Sequence, residues 1–309
     1  MIDIRDAFFD KLYEIAKKDK NVILLTVDLG AFSLDKFKRD LKDQYINVGI
    51  AEQNIINLAS GLTLEKKSVF VYGLSSFITT RCFEQIKVDL SGMNLPVKII
   101  GSGPGICYSI DGPTHHAIQD VAIMRSLPNM IIYSPSDSTS ASNIAKLSYE
   151  SKNPVYIRID KGKYPSLYSD KYDFTHGLSI IHTGKDLLII TTGMMVHQAI
   201  KLSEKLNKIN IDTCIIDLFR INPINEQLLL SIIKSFNRIV TIEEHSLIGG
   251  IGSIVSELLT DNNIFIPLKR FGINDKNCDK CGDRDWMQKY YNLDIDSIFN
   301  SVIHEYRFL

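Results

Sequence analysis

Short, uninterrupted apolar runs alternate with amphipathic stretches along most of this chain, and that alternation limits the folds open to it. The runs cover residues 21–27, 68–72, 97–100, 130–133 and 155–159, and then 187–192, 211–217, 238–243 and 264–267. A strand with one wet face alternates apolar and polar side chains. A run without that alternation needs apolar cover on both faces, as in a parallel sheet flanked by helices. The stretches between the runs supply the helices. Residues 5–18 place Ala7, Phe8, Leu12, Ile15 and Ala16 at helical spacing. Further helices are predicted over 51–64, 77–90, 118–125, 137–149, 196–206, 226–235, 250–259 and 295–306. The segment from Asp160 to Lys185 is polar, contains Pro165 and keeps no period, so it reads as a linker or a long crossing segment. The expected architecture is α/β, with two tandem doubly wound domains over 1–165 and 186–309 joined by a linker over 166–185. Each would be a mostly parallel sheet covered by helices.

Composition removes several function classes. With a formal net charge of −1, no whole-molecule field draws the chain to nucleic acid or to an anionic membrane. An anionic substrate would have to be held by a local basic pocket. Residues 1–6 show no basic start followed by an apolar core, so no secretory signal is expected. The apolar runs are strand-sized, so no membrane span is expected either. Five scattered cysteines argue against a disulfide framework and for a reducing cytoplasm. Cys278 and Cys281 form the one local pair. They lack the second pair of a zinc site and read as a loop feature, with no metal site expected.

Two stretches carry chemistry. Val48-Gly49-Ile50-Ala51-Glu52-Gln53-Asn54 puts an acid at a helix start directly after a short strand and a glycine. The positive end of the helix dipole is by itself a sufficient reason for an acid there. The second stretch, residues 101–116, starts at the end of a predicted strand, where open α/β sheets place their ligands. Its glycines allow close backbone approach, and Asp111, His115 and His116 bring an acceptor and titratable groups.

In order along nearly the whole chain, these stretches resemble the C-terminal half of transketolase, above all the split type in which that half is a separate subunit. The anchors are Arg5-Asp6-Ala7-Phe8, Val27-Asp28-Leu29, residues 49–54, Phe77-Ile78-Thr79-Thr80-Arg81, Asp111-Gly112-Pro113-Thr114-His115, residues 120–129, and Glu243-Glu244-His245-Ser246 with Gly249-Gly250. The resemblance implies thiamine diphosphate as cofactor, with Glu52 hydrogen-bonded to N1′ of its aminopyrimidine and so activating it. It implies Phe77 stacked on that ring, with Asp28 and Arg81 beside the cofactor. His115 would join Glu52 at the reacting centre. Arg5 and Arg158 match arginines that hold a sugar phosphate, a task for which a forked guanidinium is suited. Asp111, His115 and His116 match the sugar-binding loop. Glu243-Glu244-His245 reads as a solvated strand end or a contact between subunits, with an acid/base cluster as the other option.

Departures from the pattern are informative. Gly103 stands where the family usually has a histidine near the reacting end of the ketose, and Ser109-Ile110 replaces Gly-Glu before Asp111. A modified ketose or an unusual acceptor is therefore expected. No Gly-Asp-Gly motif for Mg²⁺ and diphosphate is found, and Gly282-Asp283-Arg284 is a poor substitute. The diphosphate half would then come from a partner, an N-terminal transketolase subunit, in an α2β2 heterotetramer. The expected reaction moves a two-carbon ketol unit between a ketose and an aldose-type acceptor. A 2-oxo-acid dehydrogenase beta chain, a deoxyxylulose-phosphate-synthase-like enzyme and an inactive scaffolding paralogue remain as alternatives.

Overall fold

The apolar runs are the strands of two sheets in the computed structural model, which describes residues 1–274 and 280–306. The first sheet contains β1 (Val22–Thr26), β2 (Tyr45–Asn47), β3 (Ser68–Leu74), β4 (Lys98–Ser102), β5 (Ile131–Tyr133), β6 (Val155–Ile159) and β10 (Arg220–Asn222). Its order is β10-β5-β6-β4-β3-β1-β2, parallel except for β10. The second contains β7 (Ser179–His182), β8 (Leu187–Thr191), β9 (Thr213–Asp217), β11 (Ile239–Ser246) and β12 (Leu268–Ile273), in the order β12-β11-β8-β9-β7. Here β7 is the antiparallel member.

Both faces of the first sheet are covered, which is why its strands read as continuous apolar runs. Leu24, Phe70, Tyr72, Ile100 and Ile157 pack with Phe8, Phe9 and Leu12 of α1 (Ile4–Lys18). Ile23, Leu25, Val69, Val71 and Ile99 pack with Ile55, Ile56 and Ala59 of α3 (Glu52–Leu64). That second cluster continues into Leu188, Ile190, Ile216 and Ile254 of the second sheet and its helices. The two layers therefore share one core.

Four local expectations change. β7 lies inside the stretch read as a linker, because a short edge strand with alternating burial leaves little apolar signal. The last strand runs over Leu268–Ile273, downstream of the expected 264–267, where Phe265 is fully outside at 93% exposure. Lys269 and Arg270 hide that strand from a hydropathy reading. β10 comes from the second half of the chain yet closes the edge of the first sheet, and so interlocks the halves. Finally, the helix expected over 77–90 is α-helical only at α4 (Phe83–Gln85). It is flanked by π-helical turns over Phe77–Arg81 and Ile86–Ser91. Such wide turns recur at functional sites. No described helix is long and apolar enough to cross a membrane. Cys278 lies outside the described residues, and Cys281 is exposed with a free thiol.

The interlock carries a pH signature. Asp217, at the end of β9, accepts hydrogen bonds from Ser136 Oγ (2.5 Å) and Tyr168 Oη (2.6 Å) in a fully buried site. Burial pushes its carboxyl from 3.8 up to about 7, against the pull of those two donors. The protonated acid is thus favoured by folding. Its contribution is complete below the unfolded value and is lost as the pH rises through 7. Stability in denaturant titrations is expected to fall by a few kcal/mol between pH 5 and 8. Asp217→Asn should lessen that slope, and the buried Glu243 carboxyl, also pushed up to about 7, accounts for the part that remains. An equally steep slope in the variant would assign it to other groups.

Candidate active site

In the first sheet the chain leaves β1 for β2 on one side and then returns to β3 on the other. The C-terminal ends of β1 and β3 are therefore a switch point, where open α/β sheets form their crevices. Three segments converge there. Asp28 follows β1 in the left-handed region (φ 59°), and its backbone N–H donates to Asn47 Oδ1 while Asn47 Nδ2 donates to Asp28 Oδ1, both at 3.0 Å. Asn47 Oδ1 also accepts Gly49 N–H at 3.0 Å, and Gly49 turns the chain with φ 73° into α3. That turn delivers Glu52 as the first residue of α3, 5% exposed and with no side-chain cap ahead of it.

The segment after β3 meets this acid. Arg81 Nη1 donates to Glu52 Oε2 at 2.7 Å, and the same guanidinium lies 4.4 Å from the centroid of the Phe77 ring. A π-turn closes i to i+5, so residues four apart stay on one side, and this puts Phe77 and Arg81 together. From the loop after β4, the His115 ring meets Phe77 at 5.0 Å and 66°, while its Nδ1 pairs with Thr114 Oγ1 at 3.0 Å. Glu52, Phe77, Arg81 and His115 thus form one contiguous group. Asp111 is exposed on the same loop.

The remaining expected substrate residues are placed differently. His116 is 5% exposed, and its Nε2 lies 3.4 Å from the Ser109 carbonyl. It thus packs against its own loop, directly after the 3₁₀ turn over Pro113–His115 that carries His115. Arg158 is held from two sides. Its Nε donates to Asp120 Oδ2 and its Nη2 to the Glu244 carbonyl, both at 2.8 Å, with 4% exposure. It joins the two halves of the chain at the wall of a small cavity that Asp160, Glu244 and Arg284 also line. Its sequence neighbour Asp160 pairs instead with Arg284. Arg5 is buried at 8% exposure. Its Nη1 is 3.4 Å from Tyr72 Oη, and its Nε has no partner.

Glu243, Glu244 and His245 are neither a solvated strand end nor an exposed contact between subunits, since all three are buried. Glu243 accepts Ile251 N–H (2.8 Å) and Gly252 N–H (2.9 Å) at the start of the helix Ile251–Asp261, and burial pushes it up to about 7. Burial also drives His245 down to about 4, so it is neutral near pH 7. Its Nδ1 lies 2.7 Å from the Ser246 carbonyl, and its Nε2 accepts from Ala122 N–H at 3.4 Å. Glu244 reaches the site loop, where its Oε2 accepts Ile106 N–H at 3.1 Å. Arg284 and Gln288 hold Glu244 in turn. Sequence reasoning missed this support. Arg284 lies 124 residues from Asp160, and nothing in the sequence links the two.

The aminopyrimidine half of thiamine diphosphate fits this arrangement. A buried carboxylate at a helix start beside an aromatic ring is the donor set it requires. Among the described residues, no group of three or more His, Cys, Asp or Glu is placed to hold a metal ion.

Comparison with known proteins bears on the family and the fold. Residues 1–166 match the family described as "Transketolase, pyrimidine binding domain", and residues 177–298 match "Transketolase, C-terminal domain". A protein of Phocaeicola vulgatus named as an apulose-4-phosphate transketolase subunit is 34% identical over 98% of this chain and 97% of its own. A Clostridium protein named as a 6-deoxy-6-sulfo-D-fructose transketolase subunit is 32% identical over 98% of this chain and 94% of its own. The solved structure described as "Split gene transketolase, inactive beta4 tetramer" superposes with a TM-score of 0.88 at 31% identity, covering 98% of both chains.

Proposed function

This chain belongs to the transketolase family, and we propose that it is the pyrimidine-binding subunit of a split, thiamine-diphosphate-dependent transketolase. It would transfer a two-carbon ketol unit from a ketose to an aldose-type acceptor. The observation that carries this reading is the meeting of Glu52, Phe77 and His115 at the switch point, each delivered by a different strand end.

Thiamine diphosphate, when bound, supplies the nucleophilic carbon and the electron sink that the reaction requires. The chain's own residues do the rest. Glu52 would hold the N1′ side of the aminopyrimidine. Its burial keeps water from competing for that hydrogen bond. Phe77 would offer the apolar ring against which the pyrimidine rests, and Arg81 would fix the Glu52 carboxylate. His115 and Asp111, on one loop, would meet the sugar hydroxyls. Asp28 would face the thiazolium side where the two kinds of subunit meet. Mg²⁺ and the diphosphate would be bound by an N-terminal transketolase subunit, in an α2β2 assembly. Relatives named for apulose 4-phosphate and 6-deoxy-6-sulfo-D-fructose support a ketose other than the common pentose phosphate. The proposed location is the cytoplasm, where thiols such as Cys82, Cys107 and Cys214 stay free.

Reconstitution tests this reading. The chain, its diphosphate-binding partner and their mixture are each titrated with thiamine diphosphate and Mg²⁺ by near-UV circular dichroism, then assayed for ketol transfer. Tight binding and turnover are expected only for the mixture. Turnover by the isolated chain would sink the shared-site assignment.

A further inference from the structure

A second polar cluster lies across the sheet from Glu52 and ends on the same loop as His115. Gly103 adopts φ 78°, and a Cβ built there would stand 2.0 Å and 2.1 Å from Tyr108 Cε2 and Cδ2. The Tyr108 ring therefore occupies the volume that a side chain at 103 would take, and it can do so only because 103 is glycine. Tyr108 Oη is 3.2 Å from Ser102 Oγ, at the C-terminal end of β4. Its ring is half-buried, with Lys161 Nζ 5.9 Å from the centroid. Its backbone carbonyl accepts Asp111 N–H at 3.1 Å, which couples it to the exposed part of the loop.

Arg5 completes the cluster from the α1 side. Its Nη1 is bonded to Tyr72, while Nε is buried without a partner in a residue only 8% exposed. A buried cationic N–H left unsatisfied is costly, and a ligand oxygen would satisfy it.

We propose that Tyr108 is a specificity-determining residue of the sugar site. Its ring closes the space beside Gly103, and its hydroxyl works with Arg5 Nε to grip an oxygen-rich group of the ketose. This rests on the transketolase reading above. A phenol differs from a side chain growing out of position 103 in two ways. It is a neutral donor at working pH, as any tyrosine is, and burial moves its ionisation further away. It also fills its space with an apolar face that rejects an additional hydroxyl lacking a partner.

The test uses the reconstituted complex with a phosphorylated pentulose, a phosphorylated hexulose and unphosphorylated fructose. Tyr108→Phe keeps the ring and removes the hydroxyl. It is expected to raise KM for the preferred ketose about fivefold to tenfold, with a smaller change in kcat. Tyr108→Ala opens the space and should shift the ratio of kcat/KM between the larger and smaller ketose by more than about tenfold. Unaltered circular dichroism of the bound cofactor in both variants would show that the cofactor site is intact. If both variants keep the wild-type order and ratios of the three ketoses within about twofold, the assignment is wrong. Ketose binding is also measured by calorimetry without an acceptor. Tyr108-dependent binding in the absence of any ketol transfer would retain this site while overturning the transketolase reading.

Discussion

Glu52→Gln in the reconstituted complex is expected to lower kcat by about 10²–10⁴-fold while leaving cofactor affinity within about tenfold. The span is the usual contribution of one positioned acid or base to a proton-transfer step. The substitution suits this site for a structural reason. Glu52 is 5% exposed, and its ion-pair partner is Arg81, whose own side chain is 43% exposed. An amide of the same shape can still accept from Arg81, and the freed guanidinium charge can turn to water, so folding should change by less than about 1 kcal/mol. What the amide cannot do is share the proton that a carboxylate exchanges with the cofactor ring. Stopped-flow single turnovers with circular dichroism of the bound cofactor separate the two effects. Near-wild-type turnover in this variant would remove Glu52 from its role. A collapse of cofactor binding would make it a binding residue first.

The second large effect lies far from Glu52 in sequence. Arg284 bonds both oxygens of Asp160, at 3.0 Å and 2.7 Å, and both oxygens of Glu244, at the same two distances. The two carboxylates are 3% exposed. Burial alone would push Asp160 up, and the guanidinium more than reverses it, holding Asp160 below its ordinary value. Arg284→Met strands two like charges in a dry site and should cost about 3–5 kcal/mol of folding stability. Arg284→Lys restores a charge but not the double fork, so it should recover only part of this. The triple change Arg284→Met, Asp160→Asn and Glu244→Gln neutralises the site and is expected to be far milder than Arg284→Met alone. Denaturant midpoints for the three proteins decide the matter. A single variant within about 1 kcal/mol of wild type would show the network to be dispensable. Glu244 also accepts Ile106 N–H, so Arg284→Met should in addition loosen the loop that carries Tyr108, Asp111 and His115.

The site was legible in the sequence where a backbone device fixes a side chain locally. Gly49 at φ 73° ahead of α3 is such a device, and it puts Glu52 at the helix start whatever surrounds it. The motifs that hold Phe77 and His115 did not show that the two rings meet, because that contact joins loops after different strands. The burial of His116 and Arg158 was not legible, for one shared reason. A motif records which residue type stands next to the crevice, but burial decides which way it points, and both are committed to carbonyls or carboxylates inside the fold. Arg284 left no readable trace, since its partners Asp160 and Glu244 are set by topology rather than by spacing.

The sequence by itself determined the layers. Apolar runs without alternation demand cover on both faces, and that requirement alone leads to parallel sheets between helices. Only the tertiary structure decided how the two halves act as one. β10 crosses back to the first sheet, and Glu244 from the second half props the loop of the first. Such contacts join residues far apart in the chain, where local pattern carries no information and only the packing of one shared core fixes the pairing.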